Sequence, residues 1–190
     1  LNFQDEIMKA LVCSDFGSTQ DLSLETRDDL EPGAGEVLID VKAAGVNFPD
    51  ILTVEGKYQF KPPLPFIPGT EVSGVVTKLG EGVTTRKVGD EVVGMVQLGG
   101  FASQVVTSEY TTFPKGDSMS YEQAAGFAVT YGTSYYALKQ RARLQPGETV
   151  LVLGAAGGVG IATIQIAKAM GATVIAAAST EEKLDFACEA

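Results

Sequence analysis

Residues 150–160 read Val-Leu-Val-Leu-Gly-Ala-Ala-Gly-Gly-Val-Gly, an apolar strand that runs directly into a glycine-rich turn. Ile161 to Met170 has the composition of a helix, and the apolar run Ala172 to Ala178 predicts a second strand. A strand, a tight glycine turn and a helix N-terminus together present outward-pointing amide groups that can bind a nucleotide pyrophosphate. This stretch therefore predicts the opening β-α-β unit of a dinucleotide-binding fold.

The glycines of the turn fall at positions 154, 157, 158 and 160, and Ala155-Ala156 replaces one glycine of the commonest dinucleotide fingerprint. The alternative interpretation is a tight strand-helix turn in some other α/β protein, but the flanking strand and helix are the context that the nucleotide interpretation requires. We expect the pyrophosphate to be bound by Ala156, Gly157, Gly158, Val159 and Gly160.

The end of the second predicted strand bears on the choice of cofactor. An acidic side chain there binds the ribose hydroxyls of NADH and repels a 2′-phosphate, but this strand ends in Ser179-Thr180. Lys183 lies one turn into the following helix and could reach a phosphate, which favours NADPH. Lys183 could instead be an ordinary solvated helix residue, and Glu181 and Glu182 beside it weaken the phosphate interpretation.

Composition excludes several classes of function. The chain has 190 residues and a net charge of −10 with no basic cluster, which disfavours nucleic-acid binding. No apolar run reaches the roughly 18 residues that a membrane helix needs. Cys13 and Cys188 lie at opposite ends of the sequence, so we expect no disulfide framework and a cytoplasmic, reducing location. Histidine is absent, which removes the commonest general acid-base and the commonest zinc ligand.

Short strands dominate the first two-thirds of the chain and suggest a small, partly open barrel. Ala124 to Leu138 predicts a helix interrupted by Gly132. Because Met8 resembles a natural start, we expect Leu1 to Ile7 to be a cloning or processing remnant. The predicted strands are Ile7 to Cys13, Val37 to Val41, Val72 to Leu79, Glu91 to Val96 and Phe101 to Thr107.

A longer pattern resembles the quinone oxidoreductases, the ζ-crystallin-like, zinc-free branch of the medium-chain dehydrogenase/reductase superfamily. Residues 41–50 and 68–74 are similar to the same branch and occur in the right order. The resemblance implies an α/β plus β fold: a GroES-like, partly open β-barrel substrate domain over 1–126, then the N-terminal part of a Rossmann nucleotide-binding domain over 127–190. The matching signature consists of Gly147-Glu148, Leu151, Ala155-Ala156-Gly157-Gly158, Gly160, Gln165 and Lys168.

The same resemblance implies that no catalytic zinc is held. In zinc-bearing relatives a cysteine stands at the position of Asn47 and a histidine at that of Thr70, and Ala125 occupies the place of the third ligand by a looser alignment. The absence of histidine from the sequence agrees with this implication.

Asn47 and Tyr58 match positions that line the substrate cleft in the family, and the resemblance implies that they donate hydrogen bonds to the acceptor oxygen. Asn47 could instead stabilise a turn, Tyr58 could be a surface aromatic, and Asp50 could orient the Asn47 loop or close a turn. Thr130 resembles a residue near the nicotinamide end of the cofactor, although a helix hydroxyl can also bond back to its own backbone.

The leading hypothesis is an NADPH-dependent oxidoreductase that transfers hydride to a quinone or related enone. A 2-enoyl thioester reductase of the same superfamily is the alternative enzyme. The third hypothesis is an inactive fragment, because family members are much longer and a parallel sheet left bare on one face and an edge invites association. For the full-length protein the resemblance implies a homodimer and a small-molecule substrate.

Overall fold

The computed structural model describes residues 7–190, so the expectation for the first residues of the chain concerns a segment that lies almost wholly outside the described part. The chain divides into two compact units, one ending at Gly126 and the other running from Phe127 to Ala190. The assignment of these units to substrate and nucleotide binding stays a prediction. In the part of the chain that the structure covers, no helix is long and apolar enough to cross a membrane.

The first unit is built mainly from antiparallel strands. A hairpin pairs β1 with β2, and a separate five-stranded sheet has the order β6-β3-β4-β5-β7. The pairing of β3 with β4 is broken by two register shifts, which bend the sheet locally. The strands are β1 (Ile7–Val12), β2 (Ser23–Asp28), β3 (Glu36–Gly45), β4 (Glu71–Leu79), β5 (Glu91–Met95), β6 (Gln104–Ser108) and β7 (Thr112–Pro114).

β-Branched side chains fill the core of this sheet. They come from alternating positions of neighbouring strands, as expected where one face of a pleated sheet is buried. The buried cluster consists of Val37, Ile39, Val72, Val76, Val92, Val96 and Val105.

Two short helices complete the first unit: α1 (Phe48–Val54) follows β3, and α2 (Tyr121–Ala125) follows β7. Helix α2 begins with a reciprocal cap, in which the Gln123 N–H donates to Ser120 Oγ and the Ser120 N–H donates to Gln123 Oε1.

The second unit contains a parallel β-α-β arrangement. Its elements are α3 (Ala128–Tyr135), β8 (Thr149–Leu153), α4 (Gly158–Ala169), β9 (Thr173–Ala177) and α5 (Glu181–Cys188). Strands β8 and β9 pair in parallel, with Thr149 opposite Thr173 and Leu153 opposite Ala177. Because a parallel pair needs a crossover connection, α4 crosses between the strands, as the glycine-turn pattern predicts.

One face of this two-stranded sheet packs and the other lies open. Val152 and Ile164 belong to the buried cluster between β8 and α4. On the opposite face Leu151, Leu153 and Ile175 are 59%, 75% and 53% exposed. Since side chains alternate along a strand, these three residues form the uncovered apolar face that the sequence predicts for this unit.

The predicted helix break at Gly132 is wrong. The chain breaks after α2 at Gly126, which caps that helix, and α3 continues through Gly132. A single glycine costs a helix interior about 1 kcal/mol relative to alanine, which packing against a neighbouring helix readily offsets. A π-helix, Tyr136–Ala142, extends α3 and ends at Arg143, whose φ of 54° is left-handed.

Candidate functional site

The glycine turn of the second unit is held by backbone hydrogen bonds. Gly154 follows β8 with a φ of +65°, a conformation that glycine adopts without strain. The Ala155 N–H donates to Ala177 O at 3.0 Å, which ties the turn to the end of β9. The Gly157 N–H donates to Gly154 O at 3.0 Å, and Gly157 is the N-cap of α4. The turn therefore delivers the chain directly into a helix N-terminus.

Helix α4 approaches this turn too closely for any side chain at Gly160. A Cβ atom built there lies 2.6 Å from Ala155 O and nearer still to Gly154 O. A Cβ on Gly158 lies 3.1 Å from Thr130 Cγ2, so Thr130 packs its methyl group against the first turn of α4. The first N–H groups of an α-helix have no partner within it, and those of α4 are available to an anion.

A cleft of about 470 Å³ opens beside the glycine turn. Ala156, Gly157, Ser179 and Lys183, four of the predicted cofactor residues, share this cleft. Of the others, Val159 is exposed on α4, and Gly160 is buried against the turn. The lining residues are Gly154, Ala156, Gly157, Ala177, Ala178, Ser179 and Lys183.

Lys183 is exposed in the first turn of α5, and its Nζ donates to Ser179 Oγ at 3.4 Å. The Lys183 N–H donates to Thr180 Oγ1, which caps the helix. This cap keeps the lysine side chain on the same side of the strand end as Ser179. The arrangement brings an ammonium group and a hydroxyl group together at the end of β9, where no carboxylate occupies the strand tip.

Two hydroxyl groups, one on the buried Ser134 and one on the half-buried Thr163, hold α3 against the first turn of α4. Ser134 Oγ lies 2.8 Å from Thr130 O and 3.0 Å from Val159 O, and Thr163 Oγ1 lies 2.7 Å from Val159 O. Each hydroxyl has one proton to donate, so together they satisfy the two carbonyls. Pattern reading of the sequence missed this pair, because serine and threonine in a helix carry no distinctive spacing.

In the first unit Asn47 is the N-cap of α1 and is 9% exposed. Its backbone N–H donates to Asp50 Oδ2 at 2.8 Å, and its side-chain Nδ2 donates to Glu71 Oε1 at 2.8 Å. Asp50 therefore orients the Asn47 backbone and closes the helix start at the same time, so both interpretations offered for Asp50 hold together. The Asn47 side chain does more than stabilise a turn, because it donates to a second buried carboxylate, that of Glu71 on β4.

Burial raises the pKa of Asp50, and hydrogen bonds from the Asn47 N–H and the Thr70 hydroxyl oppose that rise. Thr70 Oγ1 donates to Asp50 Oδ1 at 3.4 Å. Asp50 and Glu71 are both buried close to Asn47. Asn47, Asp50, Thr70 and Glu71 therefore form one polar cluster, joined by hydrogen bonds, at the start of α1.

Sequence reasoning missed Glu71. It is 1% exposed at the start of β4, where its strand partner on β3 is Gly45. A Cβ on Gly45 would lie 2.5 Å from Glu71 Oε1, so glycine leaves the space that the carboxylate fills. A glutamate directly before the apolar positions of a mostly buried strand is the one signal that could have identified it.

Tyr58 lies four residues beyond the end of α1 and is half-buried. Its backbone N–H donates to Leu52 O at 3.0 Å, which fixes the turn after the helix. Among residues 7–190 no hydrogen bond of its hydroxyl group is found. Both interpretations of Tyr58 therefore stay predictions.

The residues at the positions of zinc ligands in related proteins do not form a donor set that fits zinc. Nδ2 of Asn47 is committed as a donor to Glu71, Thr70 offers a hydroxyl, and Ala125 offers no side-chain ligand. Within the described ranges no group of three or more histidine, cysteine or acidic residues is placed to hold a metal ion. Zinc prefers thiolate and imidazole ligands in tetrahedral sets.

Sequence comparison relates nearly the whole chain to one group of proteins. The family described as alcohol dehydrogenase GroES-like domain matches residues 33–169, and the family described as zinc-binding dehydrogenase matches residues 158–190. Quinone oxidoreductase-like protein 2 of Rattus norvegicus is 42% identical over 187 residues, which are 98% of this chain and 53% of that protein. The chain spans about half the length of the curated relatives it matches.

Solved structures give the same likeness and confirm the predicted fold class. The quinone oxidoreductase of Thermus thermophilus, described also in its complex with NADPH, is 40% identical with a TM-score of 0.81, covering 95% of this chain and 57% of that one. The CurK enoyl reductase is 35% identical with a TM-score of 0.88, covering 96% of this chain and 56% of that one.

Proposed function

The chain belongs to the quinone oxidoreductase group of the medium-chain dehydrogenase/reductase superfamily, and from this premise we propose that the whole protein is an NADPH-dependent, zinc-independent oxidoreductase acting on a quinone or related enone. The observation that carries the proposal is the cleft beside the glycine turn, with a free helix N-terminus on one side and Ser179 with Lys183 on the other.

The residues of the cleft fit NADPH. The first turn of α4 would bind the pyrophosphate through its unpaired N–H groups, and Gly160 permits the helix to start there. Ser179 and Lys183 would bind the 2′-phosphate, which an acidic strand tip would repel. Thr130, packed against Gly158, would lie toward the nicotinamide end. That a relative is described in complex with NADPH supports this choice of cofactor.

The bound cofactor supplies the hydride, and the chain's own residues prepare the acceptor. Reduction of a carbonyl places negative charge on its oxygen, and a hydrogen-bond donor aimed at that oxygen lowers the barrier. Asn47 retains a second amide N–H for this purpose, because Glu71 uses only one. The Tyr58 hydroxyl would be the second donor. Neither role requires a metal ligand, which agrees with the donor set around Asn47 and Thr70.

A direct test uses the whole protein, dialysed against a strong chelator, with NADPH and either a benzoquinone or a 2-enoyl-CoA as acceptor. Quinone reduction that survives chelation and leaves the protein without stoichiometric zinc is the expected result. Loss of turnover on chelation, restored by zinc alone, would contradict the zinc-independent mechanism. Calorimetry that detects no heat for NADPH would contradict the cofactor site.

A 2-enoyl thioester reductase is the alternative function, favoured by the similarity to the CurK enoyl reductase. Lys57 and Lys61 after α1 are both exposed, and basic residues suit the phosphates of a coenzyme A ester, although Lys57 Nζ pairs with Glu55 Oε2 at 2.9 Å. The acceptor comparison separates the two functions, because faster turnover of the thioester would replace quinone as the proposed substrate.

Assembly and location follow from the same proposal. We expect the whole protein to form a homodimer through its nucleotide-binding unit and to work in a reducing compartment. Cys13 is buried and Cys188 is exposed, and both are free thiols.

Residues 1–190 expressed alone should show little turnover and should self-associate, because Leu151, Leu153 and Ile175 form an open apolar face. Sedimentation velocity of that polypeptide tests this expectation.

A further inference from the structure

The hydrogen bond between Asn47 and Glu71 fixes which end of the Asn47 side-chain amide points toward Glu71. Asn47 Nδ2 donates to Glu71 Oε1 at 2.8 Å, and both side chains are buried. A free asparagine amide can turn so that either its oxygen or its nitrogen points in a given direction. Glu71 Oε1 accepts a hydrogen bond from the NH₂ end of the amide, and turning the amide over would place its carbonyl oxygen against this acceptor. The position of Glu71 therefore selects one orientation of the amide.

The backbone of Asn47 is held separately. Its N–H donates to Asp50 Oδ2 at 2.8 Å, and the residue has extended φ and ψ values of −116° and 153° as the N-cap of α1. With the backbone fixed by Asp50 and one side-chain N–H fixed by Glu71, the direction of the second N–H is also fixed, because the amide group is planar. The two carboxylates thus act on different parts of the same residue.

Strand pairing provides the space for Glu71. Gly45 on β3 lies opposite Glu71 on β4. A Cβ on Gly45 would lie 2.5 Å from Glu71 Oε1 and 2.7 Å from its Cγ. Gly45 has no left-handed φ, so the glycine is required by space rather than by backbone conformation. The carbonyl oxygen of Ala125 would lie nearer still to that Cβ, so the Glu71 side chain and the α2 backbone together occupy the space beside Gly45, two residues before Asn47.

We propose that Glu71 is a positioning residue for catalysis: it orients the Asn47 amide so that the second N–H donates to the acceptor oxygen. The proposal rests on the proposed function, in which Asn47 contacts that oxygen. Glu71 itself need not touch substrate or cofactor. Two other roles give different results: a purely structural buried acid would affect stability alone, and a negative charge near a developing oxyanion would slow the reaction, so that its removal would accelerate it.

The test is a double-mutant cycle in the whole protein with Asn47→Ala, Glu71→Gln and the double variant. Glutamine has both a donor and an acceptor end, so it accepts either orientation of the Asn47 amide. We expect Glu71→Gln to lower kcat about tenfold. This is the lower end of the loss that follows when the hydrogen-bond partner that orients a metal-binding side chain is removed, and we apply it here to the orientation of Asn47. The Kd for NADPH should not change, and Glu71→Gln should have no further effect on kcat in the Asn47→Ala background.

Glu109→Gln is the matched control. Glu109 is also a buried glutamate of the first unit, but its Oε2 accepts hydrogen bonds from Thr84 and Thr85. We expect this variant to lose stability without a change in kcat. Glu71→Asp keeps the charge but shortens the side chain by one methylene, so it provides a second variant if Glu71→Gln does not fold; its kcat should fall between those of wild type and Asn47→Ala.

The outcomes separate the inference from the proposed function. If Asn47→Ala keeps full kcat, Asn47 does not contact the acceptor, and both the donor assignment and the inference fail. If Asn47→Ala lowers kcat, three results for Glu71→Gln would overturn the inference alone. These are an unchanged kcat, an increased kcat, and a decrease that adds fully to that of Asn47→Ala in the double variant. The side-chain ¹H–¹⁵N resonances of Asn47 give a readout without turnover: they should shift in Glu71→Gln and stay unchanged in Glu109→Gln.

Discussion

Replacement of Gly160 by alanine should move α4 away from the glycine turn. The added Cβ would lie 2.6 Å from Ala155 O and 2.7 Å from Ala155 C, with Gly154 O nearer still. Since carbon atoms in ordinary contact stay roughly 3.5 Å apart, the start of the helix must retreat by about 1 Å. All three neighbours are backbone atoms, so no side-chain rotation can relieve the clash.

The magnitude follows from two opposing effects. Overpacking costs about 1–3 kcal/mol, and a clash with backbone belongs at the upper end of that range. Alanine is favoured over glycine in a helix by about 1 kcal/mol, which offsets part of the cost. We therefore expect Gly160→Ala to lower the free energy of unfolding by about 2 kcal/mol. The Kd for NADPH should rise at least tenfold, because the displaced N–H groups no longer converge on the pyrophosphate.

Urea unfolding and calorimetric titration with NADPH measure the two effects on the whole protein. Gly132→Ala is the control, because Gly132 lies inside α3 and no atom lies within 4 Å of a Cβ built on it. That variant should bind NADPH normally and gain about 0.5–1 kcal/mol of stability. A Gly160→Ala protein as stable as wild type, with unchanged affinity, would refute the argument that the turn requires a bare backbone at this position.

Three further predictions concern charged groups. Lys183→Ala should weaken NADPH binding about tenfold and leave NADH binding unchanged, and titration at two salt concentrations should show a smaller difference at the higher one. Hydrogen bonds from the Thr85 hydroxyl and from the backbone N–H groups of residues 84 and 85 lower the pKa of Glu109. The stability that Glu109 contributes is thus present above the ordinary carboxyl pKa and is lost as the pH falls through the lowered pKa. In urea unfolding at a series of pH values, Glu109→Gln should therefore reduce the fall of the midpoint at acid pH. Burial raises the pKa of Asp50, so its contribution has the opposite sign: it is present below the ordinary pKa and is lost as the pH rises through the raised value. The wild-type protein should therefore lose stability as the pH rises just above the ordinary carboxyl range, and Asp50→Asn should abolish this loss. An unchanged slope of the urea midpoint against pH in the variant would contradict the assignment of the loss to Asp50.

Elements with strong local patterns were predicted well. The strand pair β8 and β9 and the helix α4 were predicted to within a few residues, because an apolar strand, a glycine turn and a helix of small residues are each visible in a short window. The family resemblance was confirmed as well, and its signature from Gly147 to Lys168 lies in this same stretch.

Elements that depend on distant partners were missed. Strand β2 (Ser23–Asp28) is polar and exposed, and it is a strand because it pairs with β1 along its whole length. Helix α1 has only seven residues and contains Pro49, so its pattern is too short to detect. The helix break at Gly126 rather than Gly132 was decided by the cap of α2.

The sequence by itself determined that a glycine turn joins the apolar strand β8 to helix α4, because the residues involved are neighbours in the chain. Only the tertiary structure decided that Glu71 binds the Asn47 side chain and that Ser179 and Lys183 share a cleft with Gly157. The physical reason is the range of the contacts: 24 residues separate Asn47 from Glu71, and the pairing of β3 with β4 brings them within hydrogen-bond distance.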